Sequence, residues 1–246
     1  MKVKAIIAVA LMCISAGAFA QFNLNKARQD ASGLLGNKGG SAPLSNDDIV
    51  KGLKDALSVG SKNAGASASK TDGFYKDSLI KIPFPPDAEK VRQTAVDLGM
   101  QKQVDDFILS MNRAAEKAAV KAATIFLNAV MSMSIDDGLN ILKGPDNAAT
   151  QYLQSKTQQQ LHDAFLPIVK AAVDSVQVTK YWAPLVNTYN KDPFVKKVNP
   201  DLNEYVTQKA LSGIFILLAA EELKIRKNPM ARVDDILKKV FGSLDK

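Results

Sequence analysis

Residues 210–220, Ala-Leu-Ser-Gly-Ile-Phe-Ile-Leu-Leu-Ala-Ala, constrain the fold of this 246-residue chain more than any other stretch. Read as a helix, the run is apolar in nearly every direction, and such a helix is buried inside a bundle or in a membrane. Its helical length is only about 16 Å, against about 30 Å for a bilayer core. Lys209 precedes it and Glu221, Glu222 and Lys224 follow, so charge closes both ends. The run is therefore expected to be a buried central helix, wrapped by the rest of the chain.

The first twenty residues read as an export leader. Lys2 and Lys4 form a basic start, residues 5–14 an apolar core and Ala18-Phe19-Ala20 a cleavage signal. Cleavage after Ala20 and a soluble periplasmic location are expected. A lipoprotein anchor at Cys13 is the competitor, weakened because Met12 stands where a small residue is needed. Loss of the leader removes Cys13, the only cysteine, so the hydrophobic core alone must hold the mature fold. It also removes two lysines, lowering the formal charge from +7 to +5. That balance favours anionic surfaces modestly, although interspersed charge of both signs is more simply a solvated surface. Residues 21–43, rich in Gly, Ser, Asn and Lys, are expected to be a flexible linker. Residues 44–246 then form one helical domain.

Ser45 and Asp48 have the spacing of a capping box, and Leu44 and Ile49 that of a hydrophobic staple. Val50, Leu53, Ala56, Leu57 and Ala64 continue a helical stripe. The start is echoed at Met133-Ser134-Ile135-Asp136-Asp137 and again at Asp234-Asp235, through duplication or, more cheaply, through shared helix-start chemistry. Residues 71–86, with Phe74, Tyr75, Ile80, Ile82 and Phe84 alongside Pro83, Pro85 and Pro86, predict an extended strap across the bundle that can include one short strand, with a binding lip as the functional alternative. A helix follows, stopped by Gly99, and then one long helix over about residues 102–133, its apolar seam running from Val104 to Ala129. A short helix ends at Gly144. Asp146 or Asn147 caps the next, Thr157 and Gln160 suggest a further start, and Pro167 marks a kink or a helix start. Tyr181, Trp182, Leu185, Val186 and Tyr189 lie on a short element before a second strap, residues 190–199. Asn199 and Pro200 are placed to open the central helix, and Asn228 and Pro229 a last one carrying Val233, Ile236, Leu237, Val240 and Phe241.

Several separated blocks carry a resemblance. Leu44-Ser45-Asn46-Asp47-Asp48-Ile49-Val50-Lys51-Gly52-Leu53, Ser110-Met111-Asn112-Arg113-Ala114-Ala115-Glu116-Lys117, Ala148-Ala149-Thr150-Gln151-Tyr152, Tyr205-Val206-Thr207-Gln208-Lys209-Ala210-Leu211 and Arg226-Lys227-Asn228-Pro229 resemble the bacterial family called domain of unknown function 4197, over roughly residues 44–241. The resemblance implies an exported, mostly helical protein and supplies no catalytic residue, cofactor or substrate.

The chemical inventory argues against an enzyme without excluding one. His162 is the only histidine, which rules out multi-histidine metal sites, and neither a nucleophile elbow nor a phosphate loop nor a dinucleotide fingerprint occurs. No catalytic, metal or cofactor residue is assigned, and dispersed basic residues give nucleic-acid binding little support. Asn112, Arg113 and Glu116 occupy one turn of the long helix. A solvated face is the favoured reading there; if another element covers it, the Arg113 fork becomes a grip for a carboxylate or phosphate. Glu222 prolongs the line Leu211, Phe215, Leu218, so it either marks where the helix leaves the core or pairs with Arg113 or Arg226 at a pocket rim.

The expected fold is all-α: a single-domain multi-helix bundle around a buried central helix, with Pro-rich extended straps. The first functional expectation is a non-catalytic periplasmic protein binding an apolar or amphipathic, lipid-like ligand between helices, in space left by Gly213 and the alanines. Asn112, Arg113, Glu116 and Glu222 are its candidate ligand-binding residues. The second is an envelope scaffold with Tyr181, Trp182 and Tyr189 as exposed anchors. A hydrolase using Glu116, Glu222 or His162 ranks third.

Overall fold

Ser45 and Ser134 open their helices in the same way. Each side chain accepts the backbone N–H three residues on, and the aspartate there accepts the serine's own N–H. The capping box satisfies donors that a helix start leaves orphaned and stabilises it by about 1 kcal/mol. It launches α1 (Asn46–Ser69) and α5 (Ile135–Lys143), so end chemistry accounts for this echo. The computed structural model describes residues 45–175, 182–199 and 201–228, together with Lys238. The expected leader and linker, Leu44 of the expected staple, Pro200, the third echo and the expected last helix (apart from Lys238, which is helical) lie outside those residues.

The other elements are a 3₁₀ turn (Pro86–Ala88), α2 (Glu89–Asp97), α3 (Gln101–Ala119), α4 (Ala122–Met131), α6 (Ala148–Asp174), α7 (Trp182–Tyr189) and α8 (Leu202–Lys227). No strand occurs among the described residues. The fold is all-α, with helices packed on one another as the hydrophobic periodicity requires. Leu53, Met111, Phe126, Leu153, Phe165 and Ile214 meet in one continuous core. No single described helix is long and apolar enough to cross a membrane. Gln101–Met131 and Ile135–Lys143 hold enough apolar length together, but the chain turns by 108° between them.

α8 contains the apolar run and packs against α1, α3 and α6. Val206, Ala210 and Ile214 are fully buried along its inner side. Burial does not extend all the way round, however: Ile216 is 43% exposed and Ala220 is exposed as well. Three helices and one strap cover most of the cylinder, and nothing among the described residues closes the remaining edge. The cap also differs from expectation. Asp201, not Asn199, accepts the Glu204 N–H at 3.0 Å, while Asn199 accepts the Asp201 N–H.

Two helix boundaries are decided by packing. The expected single helix over residues 102–133 loosens at Val120 and Lys121, where Lys121 N–H bonds the Ala118 carbonyl, three residues back instead of the regular four. The sequence carries no breaker there. Instead α4 is drawn onto α1 so closely that a Cβ on Gly65 would sit 3.0 Å from that of Ala123. Conversely, α6 runs unbroken through Pro167. Thr157, read as a possible cap, lies mid-helix and donates its hydroxyl back to the Leu153 carbonyl at 2.6 Å. Gly99, at φ +78°, does end α2 as expected.

Candidate functional site

The turn of α3 holding Asn112, Arg113 and Glu116 is not a solvated face. Asn112 is fully buried and Glu116 is 4% exposed. The strap after α1 covers them and spends its hydrogen bonds there, since its irregular backbone has no ladder to join. Asn112 Oδ1 accepts the Ile82 N–H at 2.8 Å, and its Nδ2 donates to the Ile82 carbonyl at 2.8 Å. One side chain thus plays the part of a neighbouring strand. Glu116 Oε1 accepts the N–H groups of Phe74 and Tyr75, at 3.1 and 3.3 Å. Its Oε2 takes Arg113 Nη1 at 2.6 Å, and Arg113 Nη2 reaches Asp72 at 2.6 Å.

Local geometry fixes this arrangement. Asp72 is in the left-handed region at φ 67°, which an aspartate tolerates better than most residues. Gly73 follows where any Cβ would stand 2.4 Å from the Ser67 carbonyl oxygen. The tight reversal aims Phe74 at α8, where its ring occupies the space above Gly213; a Cβ there would be 2.6 Å from Phe74 Cε1. The room expected for a ligand beside Gly213 is filled by the strap. Lys76 and then Arg113 hold the Asp72 carboxyl below its ordinary range, and Glu116 and Asp72 raise Arg113 further. The arginine fork grips carboxylates, but they are the protein's own.

Glu222 belongs to a separate cluster. α6 begins without a side-chain cap of its own on Asn147. Glu222, from α8, supplies it: the carboxylate accepts Ala149 N–H at 3.0 Å, Thr150 N–H at 2.8 Å and the Thr150 hydroxyl at 2.8 Å. These are orphan donors of a helix start, and a negative charge suits that end of the dipole. Arg226 Nε donates to the same carboxylate at 2.9 Å and its Nη2 to the Ile141 carbonyl at 2.9 Å, joining the end of α5 to the start of α6. The pairing is with Arg226 and not Arg113. Glu222 lies nine residues beyond Gly213 on α8, about 13 Å along the axis. Among the described residues the two clusters share no hydrogen-bond partner, so no polar cleft joins Arg113, Glu116 and Glu222.

Trp182 is 5% exposed and is not a surface anchor. It stacks on Phe107 at 5.5 Å between ring centroids and meets Phe84 edge-on at 5.7 Å. The interdigitated rings need Pro85 and Pro86 to bend the strap over them. Tyr189 is half-buried against the core and Tyr181 lies outside the described residues.

The outer side of Trp182 instead forms part of a cleft of about 300 Å³, between the end of the strap and the start of α8. Pro85, Pro86 and Val198 give it apolar walls, and Asp87, Asn199 and Gln208 are at its polar margin. Tyr205, also in the wall, donates its hydroxyl to the Pro83 carbonyl at 3.1 Å, and burial pushes that hydroxyl's pKa up to about 12. Glu204 accepts Gln208 Nε2 at 2.6 Å and lies 3.0 Å from His162 Nε2. Those two contacts, Gln208 first, lower the Glu204 pKa, and Glu204 in turn raises that of His162. Trp182 Nε1 is buried with no hydrogen-bond partner. The cleft was not legible in advance, because Pro85, Pro86 and Asp87 come to it from far along the chain to meet Trp182, Val198 and the start of α8.

No group of three or more His, Cys, Asp or Glu side chains able to hold a metal occurs among the described residues. No curated protein and no solved structure matches the chain. A family model described as protein of unknown function DUF4197 does match, over residues 43–242. With most of its length accounted for in that way, the chain belongs to the DUF4197 family.

Proposed function

We propose that this is a non-catalytic protein of the bacterial periplasm that binds a small amphipathic ligand in the cleft beside Trp182. The observation that carries the reading is the cleft itself. It has apolar walls of proline, valine and aromatic residues and a polar margin. Its volume is at the lower end of the range for small-molecule sites, about 300–1,000 Å³. Asp87 and Glu204 at the margin favour a neutral or cationic head over an anionic one. The export leader at residues 1–20 supports the compartment.

Hydrolysis by Glu116 or Glu222 has less support. Both carboxylates already accept backbone N–H groups and an arginine, which leaves neither poised to take a substrate proton.

Trp182 is the only tryptophan, so intrinsic fluorescence reports on the cleft directly. Titration with monomeric dodecylphosphocholine is expected to shift the emission saturably, and Gln208→Phe, which fills the cleft mouth, to abolish the shift. Native mass spectrometry of protein isolated without detergent gives the independent measurement. An unchanged spectrum together with a bare mass would overturn the reading.

A further inference from the structure

We propose that the loop of residues 190–198 docks the protein on an anionic phospholipid surface, with Phe194 as the inserted side chain. Phe194 is 95% exposed, the most exposed of the large apolar residues among those described. A phenylalanine in water is unremarkable on a mobile segment; here the loop beneath it is braced. Asn190 closes its base, donating Nδ2 to the Val198 carbonyl at 2.7 Å and accepting the Val198 N–H at 2.9 Å. Asp192 Oδ1 accepts the Phe194 N–H at 2.9 Å, which fixes the tip. Lys197 Nζ spans the interior, bonding the carbonyls of Asn190 and Asp192. Val198 is buried at the loop's root. The polar contacts hold the loop in shape while Phe194 takes no part in the core, so the ordering of this segment serves presentation of its tip.

Charge around the tip selects the occupant. Lys191, Lys196 and Lys197 flank Pro193 and Phe194, against Asp192 alone within the loop. Lys196 also pairs with Asp87 while its side chain stays 79% exposed, and the whole chain carries +7. One isolated aromatic with Lys191 and Lys196 near it in the loop suits the headgroup boundary of an anionic membrane, where the ring inserts and those lysines stay among phosphates, while Lys197 braces the loop from within. A protein hot spot would need further exposed apolar residues around the ring, and the loop adds only Pro193 and the part-buried Val195. Each lysine near such a surface contributes about five-fold in partitioning, and the contribution fades with salt.

The test is co-sedimentation of the full chain with sucrose-loaded vesicles of phosphatidylethanolamine and phosphatidylglycerol, against pure phosphatidylcholine. Binding to the anionic vesicles is expected, weakening at high salt. Phe194→Asp should reduce partitioning by about ten-fold or more, Lys191→Gln with Lys196→Gln by about 10- to 30-fold, and Phe194→Leu should retain most of it. Leu98→Asp, at an apolar residue 74% exposed on another loop, should change little. Circular dichroism is expected to be unaltered by Phe194→Asp, since the side chain supports nothing. Equal binding by wild type and Phe194→Asp would overturn the proposal, as would equal binding to both vesicle types or none to either. Gln208→Phe should leave vesicle binding intact, so failure here and failure of the cleft reading are distinguishable.

Discussion

Replacing Glu222 by glutamine tests whether one carboxylate from α8 caps α6. The change preserves shape and one acceptor oxygen, and whichever end becomes an amide meets donors. Oε1 takes Ala149 N–H and Arg226 Nε, while Oε2 takes Thr150 N–H and its hydroxyl. At least one buried N–H then faces an NH₂ group, and the charge opposite Arg226, whose side chain is 8% exposed, disappears. Loss of a charged acceptor to a buried donor costs about 1.5–3 kcal/mol, and breaking a buried ion pair about 3–5 kcal/mol. Because Arg226 keeps the Ile141 carbonyl, the expected loss is about 2–4 kcal/mol, or about 5–15 °C in Tm for a chain of this size. Urea unfolding followed by circular dichroism measures it. A cycle with Glu222→Met, Arg226→Met and the double variant should show a coupling energy of about 1.5–3 kcal/mol, since removing both partners leaves less uncompensated charge than removing one. A Glu222→Gln protein within about 0.5 kcal/mol of wild type would refute the capping role, and strictly additive single variants would refute the Glu222–Arg226 pairing.

Other perturbations follow from the strap and the cleft margin. Asn112→Leu strips partners from both the N–H and the carbonyl of Ile82; a loss of about 2–4 kcal/mol is expected, with faster hydrogen exchange at Ile82 before global unfolding. Gly213→Ala gains about 1 kcal/mol of helix propensity and drives a Cβ against the Phe74 ring, so a net loss of about 1–2 kcal/mol is expected by thermal unfolding, whereas stabilisation would mean that the ring is not seated there. Glu204 raises His162 above its ordinary 6.5, and Gln208 and His162 lower Glu204 below its ordinary 4.5. Glu204's contribution is complete above pH 4.5 and lost as pH falls through its folded value. That of His162 is complete below pH 6.5 and lost as pH rises through its own. The pair therefore stabilises most between those limits, by about 0.5 kcal/mol after solvent screening. His162→Gln should flatten that part of the stability profile, and NMR titration of the single histidine should give a midpoint above 6.5.

Periodicity and end chemistry were enough for the fold class. The stripe from Val50 to Ala64 could only be one face of a helix, and Ser45-Asp48 and Ser134-Asp137 announced helix starts, because a capping box needs nothing beyond four consecutive residues. Phe74, Ile80 and Ile82 among prolines announced a strap that packs inward, and they are buried as the pattern required. Local rules failed where a partner came from elsewhere in the chain. Nothing near Asn112 or Glu116 showed that residues 74–82 would cover them, so an ordinary polar turn of helix became the main attachment of the strap. Asp146 or Asn147 was the expected cap for α6, but Glu222 arrived from α8 and took that place. Gly213 suggested empty space until Phe74 filled it. Helix and strap depend on contacts within a few residues and can be read along the chain. Burial of a charge, the occupant of a gap and the walls of a cleft depend on which distant segments meet, and that was decided only by packing the tertiary structure.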